Sequence, residues 1–411
     1  MAPAQQNVVD VCETGEAQLK MRLLDNGFKD SSSVKVIENN NVILKDASEK
    51  MNSDKDFDIS VYESMEFRPR IRWPDLLVQL SLHLVSIYGL FLMVTNNIRF
   101  YTTIFVFATI FMSGLGITAG VHRLWSHRAY KATTPLRIIL ALLFTITGQS
   151  TECHQAIGSA RQTALGSLVS DSKANFGSYH RSNYRQHTTR DIYTWALDHR
   201  VHHKYSESVA DPHDVRRGFW FAHVGWLVLT PHPAVENRRA ALRLTSLDLI
   251  ADPVVRIQKK YFIPLFALLN IALPVWIPVY YWDETLMNSF VLSFVTRFTI
   301  TLNIAFSVNS FAHLWGNKPY DKFIKPSENP LVSLAALGEG WHNYHHVFPW
   351  DYRTSELGRF NVSTNFIDIF AKIGWAYDLK AATPAIITNR ALRSGDGSIA
   401  EEQYVDSLKS Q

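Results

Sequence analysis

The residues that could do chemistry in this chain are histidines, and they are unevenly placed. Three fall within five residues in TWALDHRVHHK, where His199, His202 and His203 stand at i, i+3 and i+4 and share one face of a helix. HNYHH repeats the spacing as His342, His345 and His346, HRLWSH begins and ends with His122 and His127, and NSFAH closes on His313. Imidazoles at i and i+3 or i+4 can aim ring nitrogens at one point about 2 Å from each, as a bound metal ion requires. The step of five in HRLWSH sets its two histidines about 140° apart on an ideal α-helix, so that pair needs a helix end or a bend to converge. Nine imidazoles exceed the positions around one ion, which implies two ions.

Ligand type alone admits zinc, copper, nickel and iron. A structural zinc site usually includes cysteine, and Cys12 and Cys153, the only two in the chain, lie outside the boxes. A redox-active pair at a bilayer surface points to oxygen chemistry on a lipid, and so to iron. The other histidines read differently. His83 packs inside an apolar block, His213, His223 and His232 trail the second box, and His154, His180 and His187 show no convergent spacing.

The elements that must carry these boxes are apolar. Of 411 residues 47% are hydrophobic, and Leu76 to Ile98, Phe100 to Val121 and Tyr261 to Trp282 contain no Asp, Glu, Lys or Arg. A fourth block, Thr285 to Gly316, contains only Arg297. At 1.5 Å per residue each reaches roughly 30 Å, which predicts spans over about 76–98, 100–121, 261–282 and 289–313. Ile138 to Thr151 is too short to cross and reads as interfacial or core.

Arg68, Arg70 and Arg72 precede the first block and Arg123, Arg128, Lys131 and Arg137 follow the second, whereas only Arg99 separates the two. The positive-inside rule then puts both termini and the long central region in the cytosol. A net charge of +4 suits a surface against anionic lipid and not a nucleic-acid binder. Two cysteines fit a reducing cytosolic face, and the polar first 60 or so residues carry no cleavable signal peptide.

HRLWSH, DHRVHHKYSE with ADPHD behind it, and GEGWHNYHHVFPWDY closely resemble the membrane-bound acyl-CoA desaturases of animals, the stearoyl-CoA or delta-9 type and its relatives. The match runs from about Arg68 to about Tyr377. It implies an all-α integral membrane protein, with four transmembrane helices and a cytosolic helical cap housing a di-iron site of two Fe2+ ions. The nine histidines match the family's nine iron ligands, and Asn309 matches an asparagine that reaches one iron through a water. Trp195 and Asp198 match residues of the acyl tunnel and acyl-CoA head. Gly114 falls where relatives close the tunnel, which suggests room for a longer chain. The activity implied is insertion of a double bond into a saturated fatty acyl-CoA. Dioxygen is the oxidant, and electrons come from NADH through cytochrome b5 reductase and cytochrome b5, in the endoplasmic reticulum membrane.

The chain departs from the pattern in places. Thr230 and Pro231 stand where some relatives carry basic residues that contact the CoA phosphates, and Ala305 and Phe306 replace polar and indole groups near the tunnel kink. A polar run at 150–189 separates TGQ from RDIYTW, which relatives join directly. The expected organisation is a disordered cytosolic arm over 1–67, a membrane and catalytic domain over 68–380 and a flexible tail over 381–411. Two alternatives stay open: a catalytically silent metal-binding homologue, and a di-iron lipid hydroxylase.

Overall fold

The computed structural model describes residues 58–95, 97–148, 191–356 and 359–398. The chain divides after Asp58, and all the helices named below belong to the unit Ile59–Gln411. The expected arm as far as residue 57, the run at 150–189 and the end of the tail from 399 lie outside the described residues.

In chain order the principal helices are α1 (Trp73–Val94), α2 (Phe100–Ser126), α3 (Thr134–Thr147), α4 (Ile192–Tyr205), α5 (Pro233–Thr245) and α6 (Pro253–Lys260). They continue with α7 (Phe262–Trp282), α8 (Leu286–Leu314), α9 (Pro330–Ala335), α10 (His342–Val347), α11 (Val362–Lys372) and α12 (Pro384–Ser394). Four of them, α1, α2, α7 and α8, are long and apolar enough to cross a membrane, so this is a multi-pass membrane protein. They match the four expected blocks, with α1 and α8 each starting three residues earlier than the sequence places them and α2 running on past Val121 to Ser126. Leu84 and Ile87 of α1 are 68% and 63% exposed, as apolar side chains facing hydrocarbon would be.

Two buried polar side chains fix how these helices meet. Arg297, fully buried in α8, donates to the carbonyls of Ser293, Ile146 and Asn270 and to the Asn270 side chain, so one guanidinium ties α8 to the end of α3 and to α7. Gln258 of α6 donates to Thr145 Oγ1 at 3.2 Å and accepts from the Ile192 amide at 3.1 Å. Thr145 sits near the end of α3 and Ile192 begins α4, so this amide clasps the two ends between which the polar run departs and returns. Asp191 caps α4 by accepting from the Thr194 amide at 3.0 Å. Gly116 lets α2 lie on α3, because a Cβ there would fall 2.2 Å from the Phe144 amide nitrogen.

The main core lies where α2, α3, α4, α6 and α11 meet, around Val121, Leu140, Phe144, Leu197, Val255 and Ile367. Its edge is closed by a short antiparallel pair, Lys131–Ala132 with Ala376–Tyr377. The C-terminal region differs from the expectation of a flexible tail starting at 381. Thr383 caps α12, Ile387 and Ala382 pack with Tyr320, Tyr344 and Phe348, and Arg390 pairs with Asp321. The sequence stretch looks polar because that helix buries only one stripe.

Candidate metal centre

The π-turns that end α2 solve the problem posed by HRLWSH. From Gly116 to Ser126 the helix widens, and the His127 amide bonds the His122 carbonyl five residues back at 3.1 Å. A turn of that width returns residue i+5 over residue i. The two rings lie 4.9 Å apart, so the pair that diverges on an α-helix converges here.

The nine histidines form two groups. His122, His127, His199, His203 and His345 bring ligand atoms within 4.8 Å of one another, and His202, His313, His342 and His346 do the same. The two H-x-x-H-H boxes are used reciprocally. In α4 the i, i+4 pair His199 and His203 enters the group of five and His202 the group of four. In α10 the i, i+4 pair His342 and His346 enters the group of four and His345 the group of five. α2 completes the first group and His313 at the end of α8 the second. Asn309, one turn before His313, lines the cavity beside His342.

Nε2 atoms face one another at 3.0 Å for His122 and His345, 2.8 Å for His127 and His199, and 3.0 Å for His345 and His203. In the second group His342 meets His313 at 3.0 Å and His346 at 3.1 Å. His122 Nδ1 donates to Glu339 Oε2 at 2.8 Å, which leaves a lone pair on its Nε2. His202 Nδ1 donates likewise to Asp211 Oδ1 at 2.8 Å, and its Nε2 is buried without a hydrogen-bond partner. Lone pairs converging in this way repel unless a cation lies among them, so the donor set fits metal ions. Two nitrogens about 2.1 Å from one ion are about 3.0 Å apart at a right angle and about 3.4 Å apart at the tetrahedral angle. The closest pairs are thus near enough to be ligands of one ion in each group.

Burial first, and the neighbouring imidazoles second, lower His127, His199, His203, His345 and His346 well below the usual histidine value and hold His342 down to about 3. At neutral pH these rings are uncharged, the form a metal needs.

Two cavities adjoin the centre. A narrow one of about 110 Å³ is lined by Gly114, Trp195, Ala305, Phe306 and Leu337 together with His122, His199 and His342. A wide one of about 900 Å³ is lined by Arg72, Arg216, Arg217 and Arg239 together with Glu63, Asp198, Asp211, Asp214 and Glu236 and by apolar side chains. Asp198 and Trp226 line both. A small, mostly apolar cavity beside the imidazoles that shares lining residues with a wide polar one suits a ligand with an apolar tail and a large polar head.

A family model for fatty acid desaturases matches residues 188–365. The chain is 44% identical over 334 residues to the acyl-CoA Delta-9 desaturase of Acheta domesticus, covering 81% of each chain. It is also 42% identical over 332 residues to stearoyl-CoA desaturase 5 of Bos taurus, covering 80% of this chain and 86% of that one. This chain belongs to the fatty acid desaturase family. An acyl-CoA Delta12-desaturase of Acheta domesticus is 43% identical over a similar length, so relatives with different double-bond positions stand at nearly equal distance from this desaturase.

The residues singled out from the sequence fall around this centre in different ways. Trp195 stacks on His199 with ring centres 5.0 Å apart. Asp198 is held by Arg239 through two bonds of 2.7 and 2.9 Å, so its carboxylate anchors an arginine at the junction of the two cavities. Gly114 lines the narrow cavity, and a Cβ there would lie 2.9 Å from Leu337 Cδ1. His83 and His223, outside both groups, bond to either side of Asn303. Sequence reasoning missed Glu339 and Asp211. Glu339 and Asp211 stand within GEGWHNYHH and ADPHD, and a carboxylate next to a histidine box was the available signal.

Proposed function

We propose that this desaturase inserts a double bond into the saturated chain of a fatty acyl-CoA. His122, His127, His199, His203 and His345 would hold one iron, and His202, His313, His342 and His346, with Asn309 through water, the other. Bound iron supplies dioxygen reduction and removal of hydrogen from an unactivated methylene, which has no acidity for a side-chain base to exploit. The chain's own residues do the rest. Glu339 and Asp211 fix the tautomers of His122 and His202. Trp195 and the apolar slot position the acyl chain and exclude water, and the wide polar cavity receives the CoA head.

The observation that carries the reading is the narrow slot passing both imidazole groups and meeting the wide cavity at Asp198. Electrons would come from NADH through cytochrome b5 reductase and cytochrome b5. The protein would lie in the endoplasmic reticulum membrane with both termini cytosolic, and residues 68–380 would form the membrane and catalytic domain with its histidine-bearing cap. The test is expression in a desaturase-deficient host, with metal analysis and lipid analysis that locates double bonds. Two irons per chain and a new unsaturated acyl product support the reading, and metal-loaded protein without any product overturns it.

A further inference from the structure

Helix α3 is apolar but too short to cross a bilayer, and α6 ends where the span α7 begins. The two lie side by side and are tied at both ends. Arg137 near the start of α3 pairs with Asp252, the cap of α6, at 3.0 Å, and Thr145 near its end accepts from Gln258 of α6 at 3.2 Å. Each helix buries one side, with Leu140 and Phe144 of α3 and Val255 and Gln258 of α6 inside. Each also turns aliphatic side chains outward, Ile138 and Leu142 one turn apart on α3 and Ile257 on α6. A short helix joined to a span, with apolar side chains exposed, suits the boundary of a bilayer, where that face lies among acyl chains.

α6 also carries charge that the fold leaves unbalanced. Arg256, Lys259 and Lys260 stand at i, i+3 and i+4 and are exposed. Among the described residues no carboxylate forms an ion pair with any of them. Asp191, whose field reaches Lys259, is buried and caps α4 through Thr194. The helix dipole accounts for two lysines in the last turn but not for Arg256 a turn earlier. The Lys259 ammonium lies 3.8 Å from the ring centre of Tyr193, and Lys260 lies 5.1 Å from that of Tyr261, so aromatic faces hold both lysines at the foot of α7. A zwitterionic headgroup would bring a further cation to these three, whereas a headgroup of net negative charge offsets them.

We propose that α6 is a binding site for an anionic phospholipid of the leaflet on the histidine side. Its phosphate is held by Arg256, Lys259 and Lys260, and its chains run along Ile257 and the outer face of α7. The site reaches the metal centre through one helix. Gln258 accepts from the Ile192 amide and Lys259 covers Tyr193, and these two residues open α4, which carries His199, His202 and His203. Lipid seated on α6 therefore steadies the start of α4. The inference needs the membrane spans and not the acyl-CoA reading.

The experiment follows thermal unfolding of the full, metal-loaded chain in a neutral detergent while phosphatidylserine or phosphatidylcholine is titrated into the micelles. Phosphatidylserine is expected to raise the unfolding temperature more than phosphatidylcholine at the same mole fraction, and added salt to weaken that response. A basic residue at an anionic surface is worth about fivefold in binding, so replacing Arg256, Lys259 and Lys260 together by glutamine should weaken the response on the order of a hundredfold. Should that variant fail to fold, Arg256→Gln with Lys260→Gln, which leaves Lys259 on Tyr193, decides through a loss of about 25-fold. Glutamine at the exposed Lys322 and Lys372 should leave the response as in the parent. A full response in the α6 variants, or an equal response of the parent to both lipids, overturns the inference. So does equal stabilisation by glycerophosphoserine or inorganic phosphate, which would make this a site for a soluble anion.

Discussion

Replacing Glu339 with glutamine would test how the first imidazole group is held. The carboxylate is 5% exposed, and accepts from His122 Nδ1 at 2.8 Å through one oxygen and from Arg123 Nη2 at 2.7 Å through the other. An amide of the same shape offers one acceptor and two N–H donors. It can serve one of the two partners and must oppose the other. With its oxygen on Arg123, its NH2 faces His122 Nδ1. The imidazole then flips tautomer and withdraws its Nε2 lone pair from the group. Burial pushes the Glu339 carboxyl up, but Arg123 and His122 outweigh it and hold it down to about 2 from 4.5. That shift corresponds to about 3 kcal/mol at neutral pH, near the roughly 3–5 kcal/mol lost when a buried pair loses one partner. The folded value lies below the unfolded one, so this stabilisation is present above about pH 4.5 and lost as pH falls toward about 2. Metal titration of metal-depleted protein in detergent should show binding by this group about 10–100-fold weaker in the variant. Its thermal stability should lack that acid-sensitive component. Metal affinity, stoichiometry and acid profile equal to the parent's would refute the argument.

Three further outcomes are expected from the same geometry. Asp211→Asn removes the acceptor that fixes His202 and should weaken metal binding by the group of four about 10–100-fold, leaving the group of five intact by metal titration. Arg239→Ala removes the guanidinium that holds the buried Asp198 carboxylate through two bonds and should lower thermal stability, with a KM for acyl-CoA raised more than kcat is lowered. Gln258→Ala should cost about 1–3 kcal/mol, because it takes the acceptor from the buried Ile192 amide, while the Thr145 hydroxyl keeps its bond to the Ala141 carbonyl. By the same clasp, removing residues 150–189 should leave bound metal unchanged, and a loss of metal would show that those residues hold α4 in place.

The long-range plan of the molecule was legible because it depends on repetition. Apolar blocks of spanning length announce α1, α2, α7 and α8, and three histidine boxes taken together with His313 point to metal ions where one box alone would not. What stayed hidden depends on single contacts between distant segments. The convergence of His122 with His127 needs a π-turn, which no period in HRLWSH signals. The partition of nine histidines into five and four needs the relative rotation of α4 and α10, which neither box contains. The contact between Gly114 and Leu337 was hidden because the two lie more than 200 residues apart.

The reciprocal use of the two boxes has a mechanical consequence. Each short helix contributes to both groups, so neither group can move without carrying part of the other, and the distance between them is set twice over by rigid helical turns. α2 and α8 then each enter one group only, as the elements that attach this double unit to the membrane spans. The carboxylates follow the same logic, since Asp211 fixes a ring from α4 and Glu339 a ring from α2. Glu339 also stands two residues after Leu337, and Arg123 joins it to Asn361 and Thr364 of the α11 cap. The segment that orients a metal ligand is therefore also the segment that sets Leu337 against Gly114 on α2.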